Sequence, residues 1–358
     1  MSSARAPTTA MAGAGSGPIA VEWLLLLYLV TYSLYVAATR WLSLSALPGM
    51  DRPLRGLEII PATVALSGLL LFLFFSMVGW WRHARQVALL GRLWPAPGRW
   101  TALSGLCVAA ILVTVPLSYT FKNVSIPFIQ LTMRGGILVI SPLVDVLSGR
   151  QVKWYSWVAL ALCALGLYVT IQARGDLRLP ALCWGTIGLY TLGFFGRLAV
   201  MSRLAKTGAQ NEMQRFYVEE QIVAVPASVA LIGLLAVLLG GEAADALRRG
   251  FADIWAQTTL LPLMGLSLLV FLISIQAAVI LLNRRENAYC VTLERSASVL
   301  AGVTAAYLLH LVSGDYPAPT GAELVGAALL VAAISTLALG PRYQPKLAPG
   351  RPAEPRAQ

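Results

Sequence analysis

Three ionisable side chains stand deep inside apolar stretches of this 358-residue chain: Arg134, Glu294 and Arg295. A charge at a bilayer centre costs about 2.5–3.5 kcal/mol on insertion scales, so a residue kept there needs a partner or a task. At ~1.5 Å per helical residue, Arg134 lies roughly 13 Å into its stretch, and Glu294 and Arg295 roughly 9–10 Å into theirs. Gln130 shares a helical face with Arg134, and Ser298 shares one with Glu294, each pair being four residues apart. An arginine fork suits carboxylate or phosphate, and a carboxylate buried beside arginine changes protonation with its surroundings. The chemistry on offer is anion binding, with Glu294 as the candidate for proton coupling. A plainer role is also open, in which an acid such as Glu294 neutralises Arg134 and fixes a helix interface.

Further polar candidates for lining such a site are Tyr32, Tyr35, Tyr119, Tyr190 and Gln276, and Asp145 and His310 are gate candidates near the ends of their stretches. Each also fits a packed aromatic, an interhelical hydrogen bond or boundary solvation. Arg197 sits near the end of its stretch and reads as snorkelling to water. Glu58 and the pair Glu219-Glu220 stand where an acid favours the positive end of a helix. Two histidines and four cysteines, with no CxxC among them, offer no metal site, and nothing in the sequence implies a cofactor. Prenyl transfer would need clustered aspartates, and intramembrane proteolysis would need paired aspartates or an HExxH helix; neither pattern is present, so no enzymatic activity is expected.

The elements that position these residues follow from hydropathy. With 58% hydrophobic and 12% charged residues, and a mean hydropathy of +0.72, one soluble core cannot hide the apolar surface. The excess of 27 Lys and Arg over 16 Asp and Glu is scattered between apolar blocks without a reading motif, which argues against nucleic acid and for topology signals. Hydrocarbon about 30 Å thick needs ~20 apolar helical residues, and ten stretches approach that length. They are 21–39, 57–80, 100–121, 125–147, 154–173, 179–201, 216–239, 260–282, 288–312 and 321–339, numbered here as spans 1 to 10. With a cytoplasmic N-terminus, sixteen Lys and Arg fall inside and eight outside, so both termini are expected in the cytoplasm. A bacterial cytoplasmic membrane is the expected home.

Arg5 and Val36-Ala37-Ala38 imitate a signal peptide, but the apolar run between them starts late and is as long as a span, so no cleavage is expected. The tails 1–18 and 341–358 read as disordered and cytoplasmic. Between spans 2 and 3, residues 82–99 mix Arg with Leu and Trp, as the headgroup layer would favour. Residues 242–255 put Leu247, Phe251, Ile254 and Trp255 on one helical face, as an interfacial helix does.

"PATVALSGLLLFL" at 61–73 returns as "PASVALIGLLAVL" at 226–238, with nine of thirteen positions identical, and this fixes an offset of 165 residues. The same offset carries Ser148-Gly149 onto Ser313-Gly314, Gln130 onto Arg295 and Asp145 onto His310. It maps spans 1–5 onto spans 6–10, dividing the chain into repeats at 19–175 and 176–340. Five is odd, so the halves cross the membrane in opposite directions. The expected fold is an all-α membrane protein of ten transmembrane helices in two inverted five-helix repeats, an arrangement that in transporters places the site at the midplane between the halves.

This organisation, with halves closing on "NVSIPFIQLTMRGGILVISPLVDVLSGRQVKWYSWVALALCALGLYVTI" and "NAYCVTLERSASVLAGVTAAYLLHLVSGDYPAPTGAELVGAALLVAAI", resembles the drug/metabolite transporter superfamily. That superfamily includes EamA-type exporters, nucleotide-sugar transporters and plastid phosphate antiporters. The acid usual after the glycine ending spans 4 and 9 is replaced by Arg150 in the first half and kept as Asp315 in the second. The resemblance implies that spans 4 and 9 face each other, bringing Gln130, Arg134, Glu294, Arg295 and Ser298 onto one aqueous pocket. It implies secondary-active transport of a small anionic or zwitterionic metabolite by alternating access. A flippase for a lipid-linked phosphate or sugar carrier, and an exporter of amino acids or drugs, are the alternatives. The expected partners are a small-molecule substrate and the lipid bilayer. Small residues on spans 5 and 10, "ALALCALG" and "GAALLVAA", could pack within their own halves or against a second subunit as a homodimer.

Overall fold

A computed structural model describes residues 18–89, 91–118, 126–173, 181–206, 211–255, 257–313 and 320–343. The described elements are α1 (Pro18–Leu44), α2 (Gly56–Val78), β1 (Arg85–Leu89), β2 (Arg92–Ala96), α3 (Arg99–Ser118), α4 (Ile126–Leu147) and α5 (Trp154–Gln172). They continue as α6 (Ala181–Leu204), α7 (Glu212–Leu238), α8 (Gly241–Ala252), α9 (Gln257–Leu281), α10 (Asn287–Ser313) and α11 (Gly321–Leu339). Each of the ten apolar stretches carries one helix, and α8 is the amphipathic connection. Leu247 of α8 is buried with Ile232 and Ala236 of α7, while Trp255, just past α8, stays exposed.

Among the described residues, five helices are long and apolar enough to cross a membrane, over Trp23–Leu44, Gly56–Val78, Glu212–Leu238, Thr258–Leu281 and Asn287–Val312. Their outer faces carry large apolar side chains such as Met77, Leu261 and Val312, each more than three-quarters exposed. Water would penalise so continuous an apolar surface, whereas lipid accepts it. The chain is a helical membrane protein.

One segment departs from the all-helical expectation. After a 3-10 turn at Trp80–His83, residues 85–89 and 92–96 pair as antiparallel strands, Val87 with Trp94 and Arg85 with Ala96. Val, Leu and Trp here suit a pleated strand, and strands of five residues each are too short to cross hydrocarbon. Glu219 of α7 ties the hairpin down: it accepts from the Arg85 and Gly98 N–H groups at 3.0 Å each and from the Thr101 hydroxyl at 2.7 Å. Glu219 thus does more than sit near a helix end.

Lipid offers no hydrophobic drive between helices, so close packing must hold the bundle together. α3 packs on α6 and α7, and α9 packs on α1 and α2. α4 packs on α6 and α5, and α10 packs on α1 and α11. α2 meets α7, α4 meets α10, and α5 runs along α11. The repeated phrase lies at the α2–α7 contact, where Gly68 is pressed against the Val225 side chain so closely that a β-carbon would collide. The small-residue faces of α5 and α11 meet each other, Gly166 lying against the Gly326 backbone, so they join a mid-chain helix to a C-terminal one.

Candidate functional site

Four helices deliver polar groups to one buried cluster: α1, α4, α6 and α10. On α10 the carboxylate of Glu294, 3% exposed, accepts a hydrogen bond at 2.6 Å from the hydroxyl of Tyr28 on α1. Its other oxygen lies 2.6 Å from Nε of Arg295. These are successive residues whose side chains leave a helix in different directions. The contact is therefore an ion pair without alignment: among the described residues neither Glu294 Oε2 nor Arg295 Nε has a hydrogen-bond partner. The Arg295 guanidinium also lies over the Phe194 ring of α6, 5.0 Å from its centroid. Cation–π contact satisfies charge and leaves N–H groups for a ligand.

From α4, Arg134 reaches α1, where it donates a long 3.4 Å hydrogen bond to the hydroxyl of Tyr32. Among the described residues no carboxylate forms an ion pair with Arg134. Tyr190 on α6 is buried, stacks edge-on with Phe194 at 5.0 Å, and feels the charges of Arg134, Glu294 and Arg295 together. The cluster thus holds two guanidiniums, one carboxylate and three phenols.

Some expected members stand apart. The Ser298 hydroxyl donates to the Arg295 carbonyl at 2.9 Å, turned back on its own helix rather than toward Glu294. Gln276 on α9 donates to Thr31 at 3.3 Å, and its buried Oε1 has no partner among the described residues. Tyr35 lies edge-on to Tyr32 but packs against a separate apolar cluster around Leu42 and Leu263. Tyr119 and the side chain of Gln130 lie outside the described residues. His310 is half-buried near the end of α10. Tyr28 is the member that sequence reading passed over. Its signal was the spacing Tyr28, Tyr32, Tyr35, which lines one face of a helix.

Asp145 closes a second centre, at the C-terminal end of α4. Its carboxylate is fully buried and accepts from the backbone N–H groups of Asn287 (2.9 Å) and Ala288 (2.7 Å), and from the Asn287 side chain (2.9 Å). It caps α10 from across the bundle, where an acid opposes the positive helix end. Gly149, at φ +70°, ends α4 in the left-handed conformation and turns Arg150 back to 3.9 Å from Asp145. Arg150 then donates to the carbonyls of Arg284 (2.5 Å) and Arg285 (3.0 Å), and Lys206 donates to that of Arg285 at 3.1 Å. Burial holds the Lys206 ammonium below the ordinary lysine range. Asn287 also donates to Ser202 at 2.6 Å and Ser156 to Glu286 at 2.8 Å, so α4, α5 and α6 all grip the start of α10.

Arg197 corrects the snorkelling expectation. Nε and Nη2 lie 3.0 and 2.9 Å from the two oxygens of Glu220, which is fully buried and also accepts from Ser104 at 2.6 Å. This pair cross-links α3, α6 and α7.

No protein-family model matches the sequence, and no curated protein matches it. Among solved structures, one described only as "Crystal structure of protein" aligns over 92% of this chain and 100% of its own at 16% identity, with a TM-score of 0.60. At that identity the likeness is one of fold. Native YfkE aligns over 91% of this chain and 92% of its own at 14% identity, but a TM-score of 0.18 carries no argument.

Proposed function

We propose that this chain is a secondary-active transporter for a small anionic or zwitterionic metabolite, working by alternating access around Arg134, Glu294 and Arg295. The observation that carries the reading is incomplete pairing. Among the described residues, Glu294 Oε2 and Arg295 Nε are buried without aligned partners, and the one hydrogen bond of Arg134 is a long one to Tyr32. Buried charge left partly unsatisfied is costly, so it persists where a ligand completes it.

The wider proposal is ten spans in two inverted repeats, as in the drug/metabolite transporter superfamily, with both termini on the arginine-rich, cytoplasmic side. Its support is the exchange of packing partners. Replacing α1 to α5 by α6, α7, α9, α10 and α11 turns the contacts α3–α6, α3–α7, α4–α6 and α4–α5 into α9–α1, α9–α2, α10–α1 and α10–α11. The contacts α2–α7, α4–α10 and α5–α11 map onto themselves. A pseudo-twofold axis between halves would produce this pattern. In this reading the Asp145 clamp on α10 is a closed gate at the arginine-rich end.

Uptake of radiolabelled anionic metabolites into proteoliposomes, with and without a pH gradient, tests the proposal. Saturable uptake is expected, and Glu294→Gln is expected to remove its dependence on the pH gradient. Absence of uptake across carboxylate, phosphate and amino-acid substrates overturns the transport reading.

A further inference from the structure

Outside the polar cluster, the bundle has an apolar groove of about 310 Å³ between α1 and α11, floored by α10. That volume lies at the low end of small-ligand sites, roughly 300–1,000 Å³. α1 and α11 both pack on α10 but run apart here, and exposed Leu26 and Val331 mark the rim on the lipid-facing side. Along α10 the floor runs from Tyr289 to Leu300, roughly 16 Å at ~1.5 Å per residue. One leaflet of a hydrocarbon core about 30 Å thick has the same depth.

The groove carries a charged lining residue at one end only. There Arg285 lines it, with its guanidinium stacked 4.4 Å from the centroid of the Tyr289 ring. Its neighbours fix its backbone: Arg150 and Lys206 donate to its carbonyl, and its N–H donates to Asn283. The side chain forms no ion pair with a described carboxylate. A fixed cation at headgroup depth above a leaflet-long apolar slot matches an anionic amphiphile in both charge and length.

We propose that this groove binds one anionic phospholipid of the adjacent leaflet, with an acyl chain between α1 and α11 and the phosphate on Arg285. The occupant is a ligand of the transporter's flank, not its cargo, and the site exists whether or not the polar cluster transports anything. Leu25 and Leu29 of α1 line the groove, while Tyr28 between them bonds to Glu294. An acyl chain there would brace the helix that positions the Glu294 carboxylate.

Native mass spectrometry of the detergent-purified full chain, titrated with phosphatidylglycerol or phosphatidylcholine of equal chain length, tests the site. Preferential retention of one phosphatidylglycerol is expected. Arg285→Gln should cut that preference about fivefold, while Arg284→Gln, next to it but off the groove, should not. Ser335→Trp, at an exposed position on the groove wall, should lower retention of both lipids; Leu192→Trp, exposed on α6, should leave it unchanged. Equal retention of the two lipids by the natural chain, or full retention in Ser335→Trp, overturns the proposal. A negative transport assay has no bearing on these outcomes.

Discussion

Two of the buried ionic clusters in this bundle are built differently. Around Glu220, both carboxylate oxygens meet nitrogens of Arg197 within 3.0 Å, and Ser104 adds a third donor. Around Glu294, one oxygen meets Tyr28, while the other faces the next residue's guanidinium out of line. The first cluster is complete without any ligand, as a structural cross-link of α3, α6 and α7 would be. The second carries an extra cation in Arg134 and unspent hydrogen-bonding capacity, as a binding site would. Position alone did not separate them: both are charged, buried and interhelical. Satisfaction did.

Breaking the complete cluster should cost most. Arg197→Ala strands a fully buried carboxylate, so a loss of about 3–5 kcal/mol is expected, read as a large drop in the thermal midpoint in detergent. Replacing the whole cluster, Arg197→Met with Glu220→Leu and Ser104→Ala, should recover most of that loss, because an apolar set leaves nothing unpaired. Tyr28→Phe removes one donor from Glu294 and should cost about 1–3 kcal/mol by the same measurement. Asp145→Ala uncaps α10 and should cost about 0.5–2 kcal/mol, with faster hydrogen exchange at 287–290. Arg134→Ala should cost least, about 1 kcal/mol or less, since its one described bond is long.

The sequence displays the helices clearly because lipid enforces long apolar stretches, and all ten coincide with observed helices. α8 was legible by another signal, an apolar face repeating at helical period. The strand pair at 85–89 and 92–96 was not, since two five-residue strands give too short an alternation to stand out beside arginines. Glu220 was misjudged through a boundary. A helix starting at Phe216 leaves it in the second turn, whereas α7 starts at Glu212 and carries it a turn deeper, against Arg197. Arg134, Glu294 and Arg295 stood out as charges in apolar surroundings, and the structure gathers them with Tyr32 and Tyr190. Tyr28 was harder to find, because periodicity gives a helix's faces but not which neighbour each face meets. Ser298 failed for a related reason: a hydroxyl on the correct face can still bond to its own backbone.

The central claim is that the incomplete cluster serves a ligand and the complete one serves the frame. Substrate uptake by Arg134→Ala in proteoliposomes, measured beside its thermal midpoint, tests it most directly. The account predicts uptake reduced to background with a midpoint within a few degrees of the natural chain. Undiminished uptake in that variant would contradict it.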